Sequence, residues 1–272
     1  MKVTDYGDVH TRKHFEGNRQ RTFAMIKPEQ YANFGKIIDA TQKNGFVINK
    51  LKMSRFNNNS AGQFYGEHKD KPFFGALKTH MTSDVCIGME LVAQDAVAEW
   101  RKCIGPTSSD TAKVEAPGSI RGIFGLDNTK NAVHGSDSVG SYKREVDFWF
   151  GGDEPADRPM QTTAVLNNCT LCLIKPHILK NAQAGEVIDM ILQAGFEISA
   201  MEMFQMSRAV IEEFYCVYKG VLPEYLPVIE NFTSGPILAL EIRQNNAVSA
   251  FRELCGPHDP EIAKHLRPDT IR

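Results

Sequence analysis

The chain repeats itself. The segment TFAMIKPEQYANFGKIIDATQKNGFVINKLKMSR from Thr22 returns as TLCLIKPHILKNAQAGEVIDMILQAGFEISAMEMFQMSR from Thr170, and WRKCIGP from Trp100 returns as FRELCGP from Phe251. Lys27 thus pairs with Lys175 at an offset of 148, and Arg101 with Arg252 at an offset of 151, small insertions accounting for the drift. A period near 150 residues is far longer than the roughly 20–50 residues of a solenoid unit, so the repeat means a duplicated domain. A length of 272 residues accommodates two hydrophobic cores.

Each copy opens on an apolar run, Phe23 to Ile26 and Leu171 to Ile174, that ends in Ile-Lys-Pro. Such a run reads as a buried strand halted by proline, which cannot donate to a ladder. Val187, Ile188, Ile191 and Leu192 then recur at helical spacing, and Gly45 and Gly195 stand where a helix ends in a glycine. A strand follows (Val47 to Met53; Glu197 to Met203), then a pair of helices, then a third strand (Val85 to Leu91; Ile237 to Ile242). Few two-residue hairpin signals interrupt this order, so the pattern is mixed α and β, an open sheet covered by helices. The expected division is an N-terminal extension over 1–20, a first domain over 21–150, a Gly, Pro and polar-rich linker over 151–168 and a second domain over 169–272.

Thirty-one Lys and Arg against 33 Asp and Glu leave a formal charge of -2, so no broad attraction to nucleic acid or anionic lipid is expected and any anion site must be local. Six scattered cysteines lack the density of a disulfide-stapled domain and suggest a reducing compartment. Cys169 and Cys172 have no second pair to complete a zinc site, and in a strand their thiols face opposite ways. Residues Met1 to His14 are polar, and no segment reaches the roughly 18 apolar residues of a membrane span. Neither a nucleic-acid nor a membrane partner is expected. The glycines between Gly118 and Gly125 lack the Gly-Lys-Ser/Thr ending of a P-loop.

In the first copy four motifs stand in order: IKP, HKDKPFF, GPTSSDTAKVEAPGSIRGIFG and NAVHGSDS. In sequence and spacing, over about 130 residues, they resemble the nucleoside diphosphate kinase family. The resemblance implies an α/β (α+β, ferredoxin-like) fold, an antiparallel sheet covered by helices. It also implies transfer of the γ-phosphoryl group of ATP to nucleoside diphosphates. Moving that group between two nucleotides in one site requires a nucleophile that holds it in between, and neutral imidazole near pH 7 suits this. His134 is the candidate nucleophile. The resemblance assigns to Glu145, on a helix over Ser141 to Phe150, the pinning of one ring nitrogen so that the other stays free.

Lys27, Arg101 and Arg121 match phosphate-binding positions, where fixed cations meet charge developing on the transferred group. Thr107 and Asn131 match polar donors to phosphate or ribose, Tyr65 and Ser136 match residues that order the site around the imidazole, and Phe73 matches a position that stacks on the base. A ring face accepts purines and pyrimidines alike, so broad base tolerance is expected. Mg2+ is expected to arrive on the nucleotide phosphates, with no metal ligands from the protein. Lys71 stands where arginine is usual, and TSDV (Thr82 to Val85) replaces the Ser-Gly-Pro that the second copy keeps at Ser234 to Pro236.

The second copy retains Lys175, Tyr215, Arg252 and Arg272, has His258 where Thr107 stands, and offers no counterpart of His134 before Arg272. It is expected to be inactive and structural, either truncated or completed by a partner. Two further roles remain open. The resemblance implies an architectural module bound to tubulin in axonemal microtubules or to a microtubule-nucleating complex, with a location in cytoplasm, cilium or centrosome. The third role is a nucleotide sensor without turnover.

Overall fold

A computed structural model describes residues 19–152 and 159–272. Most of the expected N-terminal extension lies outside the described residues. The chain forms two compact units, divided between Thr163 and Ala164.

The first unit begins with β1 (Arg19–Ile26), a 3-10 turn over Pro28–Asn33, α1 (Phe34–Lys43) and β2 (Val47–Arg55). It continues through α2 (Asn58–Phe64), α3 (Phe74–Met81) and β3 (Val85–Gln94) to α4 (Ala96–Ile104), α5 (Ser109–Glu115) and α6 (Ile120–Phe124). The short β4 (Val133–Gly135) and the long α7 (Val139–Phe150) close it. The strands stand in the order β4-β1-β3-β2 with every neighbour antiparallel. This β-α-β-β-α-β arrangement is the ferredoxin-like split.

Pro28 ends β1, as its missing N–H requires. Gly45 follows α1 at φ +85, a left-handed position that a side chain would strain. β3 is buried along nearly its whole length because helices cover the sheet, which explains its unbroken apolar run. Phe23, Phe56, Phe64, Met81, Trp149 and their neighbours fill one face of the sheet. Met160, within the segment read as linker, is fully buried in this same core, and Gln161 O accepts a hydrogen bond from Ser54 Oγ at 2.6 Å. One apolar side chain among polar ones leaves no periodicity to read, which is why that anchoring was invisible in the sequence.

The second unit comprises β5 (Cys169–Ile174), α8 (Pro176–Lys180), α9 (Ala184–Gln193), β6 (Glu197–Phe204), α10 (Arg208–Phe214), α11 (Tyr225–Thr233), β7 (Ile237–Arg243), α12 (Ala247–Cys255) and α13 (Pro260–Leu266). β7 is flanked by β5 and β6, both antiparallel, as β3 is flanked by β1 and β2.

The repeat extends to irregularities. The β2–β3 register shifts between Ile48 and Lys50, and the β6–β7 register shifts between Ile198 and Ala200. The residue at each bulge points a polar group at a buried glutamate on the central strand: Asn49 Nδ2 donates to Glu90, and Ser199 Oγ to Glu241 Oε1 at 2.7 Å. Bulges re-aim side chains in this way. In the first unit Glu90 also accepts from Tyr142 of α7 (2.7 Å) and Arg21 (3.1 Å). In the second, Glu241 instead accepts the backbone amides of Val165 and Leu166, Val165 at 2.8 Å.

Candidate active site

His134 lies on β4 opposite Met25 of β1. Gly135 beside it cannot be larger, because a Cβ there would stand 2.4 Å from Trp100 Cδ1. Trp100 in turn donates its indole N–H to His134 O at 3.3 Å. The imidazole plane is walled by Phe64 at 5.6 Å and Tyr65 at 6.1 Å between ring centroids, both close to edge-on.

The helix α7 supplies the next contact, and its placement follows from three side chains on one face at i, i+3 and i+7 spacing. Tyr142 reaches Glu90. Glu145 reaches the histidine. Trp149 lies over Gly88 of β3, where a Cβ would come within 2.2 Å of the indole. Glu145 Oε1 sits 3.0 Å from His134 Nε2, while Oε2 accepts from Ser136 Oγ at 2.5 Å. With the buried carboxylate as acceptor, Nε2 carries the proton and Nδ1 is the lone-pair nitrogen. No hydrogen bond to Nδ1 occurs among the described residues. Ser136 is itself held, its hydroxyl 3.3 Å from Phe23 N.

A basic wall adjoins this ring. Lys27 is buried, its Nζ donating to Asn131 Oδ1 at 2.6 Å and Thr129 O at 2.8 Å. Burial lowers its pKa to about 8, Glu29 opposing the change and Arg121 adding to it. Arg121 on α6 is also buried and donates to Gly105 O (2.9 Å) and Val133 O (3.0 Å). Its pKa falls to about 10, through burial and then the nearby charge of Arg101. Arg101, in the last turn of α4, is exposed. Asn131 Nδ2 donates to Thr107 O at 2.8 Å, while the exposed Thr107 hydroxyl has no bond among the described residues.

Phe73 caps α3 with 49% of its surface exposed, and the His68 ring lies 5.8 Å from it and 6.3 Å from Tyr65. The Tyr65 hydroxyl is buried without a partner among the described residues, and its pKa is raised well above the ordinary value, chiefly by burial. All ten residues singled out in the sequence therefore lie on one unit, with Phe73 joined to the histidine through Tyr65 and His68.

Sequence reasoning passed over Glu29, His80 and the backbone at Ala132. Ala132 is fully buried at φ +68, and Val133 N donates to Asn131 O across it at 2.8 Å, a γ-turn with a non-glycine centre. Such a position costs about 1–3 kcal/mol and persists only where its surroundings hold it. An alanine in an apolar stretch carries no sequence signal of that strain.

The side chains of this wall are cations and neutral donors, which complement a polyphosphate rather than a bare divalent ion. Among the described residues no cluster of three or more His, Cys, Asp or Glu could hold a metal, and no helix is long and apolar enough to cross a membrane.

The family model described as nucleoside diphosphate kinase matches residues 20–155 and again 168–272, and the chain belongs to the nucleoside diphosphate kinase family. Among its relatives, the nucleoside diphosphate kinase homolog 7 of Rattus norvegicus is 45% identical over 275 residues, an alignment that takes in all of this chain and 68% of that protein. The nucleoside diphosphate kinase of Aquifex aeolicus is 42% identical over 137 residues, covering 50% of this chain and 96% of its own. The structure of a halophilic nucleoside diphosphate kinase from Halobacterium salinarum in complex with CDP aligns at 35% identity over 50% of this chain and 91% of that one, with a TM-score of 0.47.

Proposed function

We propose that the first unit exchanges phosphoryl groups between nucleoside triphosphates and diphosphates through a phosphohistidine on His134. The observation that carries this reading is the His134–Glu145–Ser136 chain, which ties Nε2 and leaves Nδ1 unbonded among the described residues, on a strand whose preceding residues Asn131 and Val133 hold Lys27 and Arg121. In the first half-reaction the Nδ1 lone pair attacks the γ-phosphorus of ATP. The bond from phosphorus to the β–γ bridging oxygen breaks, and its electrons leave with ADP. In the second half-reaction a terminal phosphate oxygen of another nucleoside diphosphate attacks the same phosphorus, and the P–N bond breaks back to the imidazole. No proton needs to leave the ring, because the Nε2 proton stays on the imidazole, hydrogen-bonded to Glu145, throughout.

Lys27, Arg121 and Arg101 neutralise charge on the phosphoryl oxygens, and Asn131 keeps the ammonium of Lys27 in place. Phe73, exposed and flat, offers the base a stacking face without a hydrogen-bond code, consistent with low base selectivity. Mg2+ bound to the nucleotide's own phosphates would supply further charge neutralisation, and this donor set fits that division of labour.

The second unit repeats part of the phosphate wall. Arg272 Nη1 donates to Gly256 O at 2.9 Å as Arg121 Nη1 does to Gly105 O, and Lys175 is lowered in pKa by burial and then by Arg272. Glu224, however, occupies the helix-cap position that Phe73 holds in the first unit. We therefore place the exchange reaction on the first unit alone. Incubation with γ-labelled ATP should give a base-stable, acid-labile phosphoprotein that His134→Ala abolishes. Equal labelling of the variant rejects the mechanism.

A further inference from the structure

The backbone that carries the nucleophile is gripped from a place the phosphoryl-transfer chemistry does not use. Glu29 lies two residues beyond Lys27, in the 3-10 turn after β1. Its Oε1 accepts the Ala132 amide at 2.9 Å, and its Oε2 is 2.7 Å from His80 Nε2 on α3. Both side chains are only 8% exposed. Burial alone would raise the Glu29 carboxyl, but the hydrogen bonds from His80 and the Ala132 amide outweigh it and hold its pKa below the ordinary value. The contact proton therefore belongs to His80 Nε2. The other polar group of Ala132 is held too, since Lys27 N donates to Ala132 O at 2.9 Å.

Both backbone groups of the one residue at φ +68 are thus bonded to the short segment 27–29. The peptides on either side of that turn carry the rest of the site. Asn131 holds Lys27 Nζ, Val133 O accepts from Arg121, and His134 follows. A relaxation of the turn would move all four groups together.

We propose that Glu29, oriented by His80, is a positioning residue that holds the strained turn at Ala132 and thereby keeps the His134 imidazole in register with the cations of the phosphate wall. This rests on the phosphohistidine reading of the site. What matters in Glu29 is an acceptor at the Ala132 amide, not the charge. Glutamine can supply this by turning its carbonyl to Ala132 N and its amide to His80 Nε2, which then accepts in its other neutral tautomer.

The test uses the full chain with Glu29→Ala and Glu29→Gln and two readouts. One is hydrogen exchange of the Ala132 amide in the absence of nucleotide; the other is the rate of His134 phosphorylation at saturating and limiting ATP. A misplacement of about 1 Å at the reacting groups can cost about 100-fold. Glu29→Ala should lose up to that factor in kcat/KM, because the nucleophile and the cations that meet the phosphates are displaced together, and its Ala132 amide should lose protection. Glu29→Gln should stay within about three-fold of the unmodified chain in both readouts. His80→Ala should show a smaller loss of the same kind. A Glu29→Ala variant with unchanged rate and unchanged Ala132 protection overturns the proposal, as does a folded Glu29→Gln variant as slow as Glu29→Ala. Failure of the unmodified chain to label His134 would reject the phosphohistidine reading instead, and the exchange measurement would still decide whether Glu29 holds the turn.

Discussion

Replacing Glu145 by glutamine removes one charge from the site and almost no volume. In the unmodified chain the carboxylate is 4% exposed, 3.0 Å from His134 Nε2, and held by Ser136 at 2.5 Å. As Nδ1 forms its bond to phosphorus, positive charge appears on the ring, and the carboxylate faces it from a site that water scarcely enters. Two unit charges about 4 Å apart at an effective dielectric near 20 interact by about 4 kcal/mol, an upper figure because Arg144 approaches the same oxygen at 4.0 Å. Glutamine keeps a neutral hydrogen bond to Nε2–H, worth about 1 kcal/mol net against about 1.5–3 for a charged one. The transition state should therefore lose about 2–3 kcal/mol, or roughly 30- to 150-fold in the phosphorylation rate. Quenched-flow labelling with γ-labelled ATP should show this loss in the rate at saturating nucleotide, with the half-saturating concentration little changed. A rate within three-fold of the unmodified chain, or a loss confined to nucleotide affinity, would refute the idea that the carboxylate acts on charge formed during transfer.

Two further outcomes follow from groups around the site. Lys27 titrates near 8 in the folded chain against 10.5 for an exposed ammonium. Between those values the unfolded chain binds more protons, so Lys27 favours folding increasingly as pH climbs through that window, while the cation facing the phosphate fades. Nucleotide should accordingly bind with proton uptake at pH 8 to 9, measurable by calorimetry in buffers of different ionisation enthalpy, and equal heats in all buffers would contradict the shift. Tyr142→Phe deletes the hydroxyl that donates to Glu90, leaving that buried carboxylate to Arg21 and Asn49. The first unit should lose about 1.5–3 kcal/mol. Both tryptophans, Trp100 and Trp149, lie in that unit, so a fluorescence-detected urea titration reads it selectively, and an unchanged midpoint would show that the Tyr142–Glu90 contact adds nothing.

Much of the fold was legible because it depends on local patterns that sequence preserves. Ile-Lys-Pro marked the end of β1 because proline cannot continue the ladder, and Gly45 and Gly195 marked helix ends because both stand at left-handed φ, +85 and +81. The strand cores were evident as apolar runs, although β1 extends back to Arg19 through polar residues that continue the pairing, and β3 runs on through Val92 and Ala93 to Gln94. The bulge at Asn49 was not visible, since a one-residue register shift depends on the partner strand.

For the site the division has a clear physical basis. The sequence by itself determined which side chains are present: a histidine between an asparagine and a serine, a lysine before a proline, two arginines at repeated positions, and an aromatic residue at Phe73, all in one copy of a duplicated domain. Side-chain identity carries that information directly. Only the tertiary structure decided how the histidine is held. Nε2 is tied because α7 is seated by Trp149 over Gly88, and the strand of His134 is fixed because Glu29 and Lys27, more than 100 residues away in the chain, bond both backbone groups of the strained residue Ala132. Hydrogen bonds and van der Waals contacts act over a few ångströms, and residues that far apart become neighbours only once the sheet has paired β1 with β4.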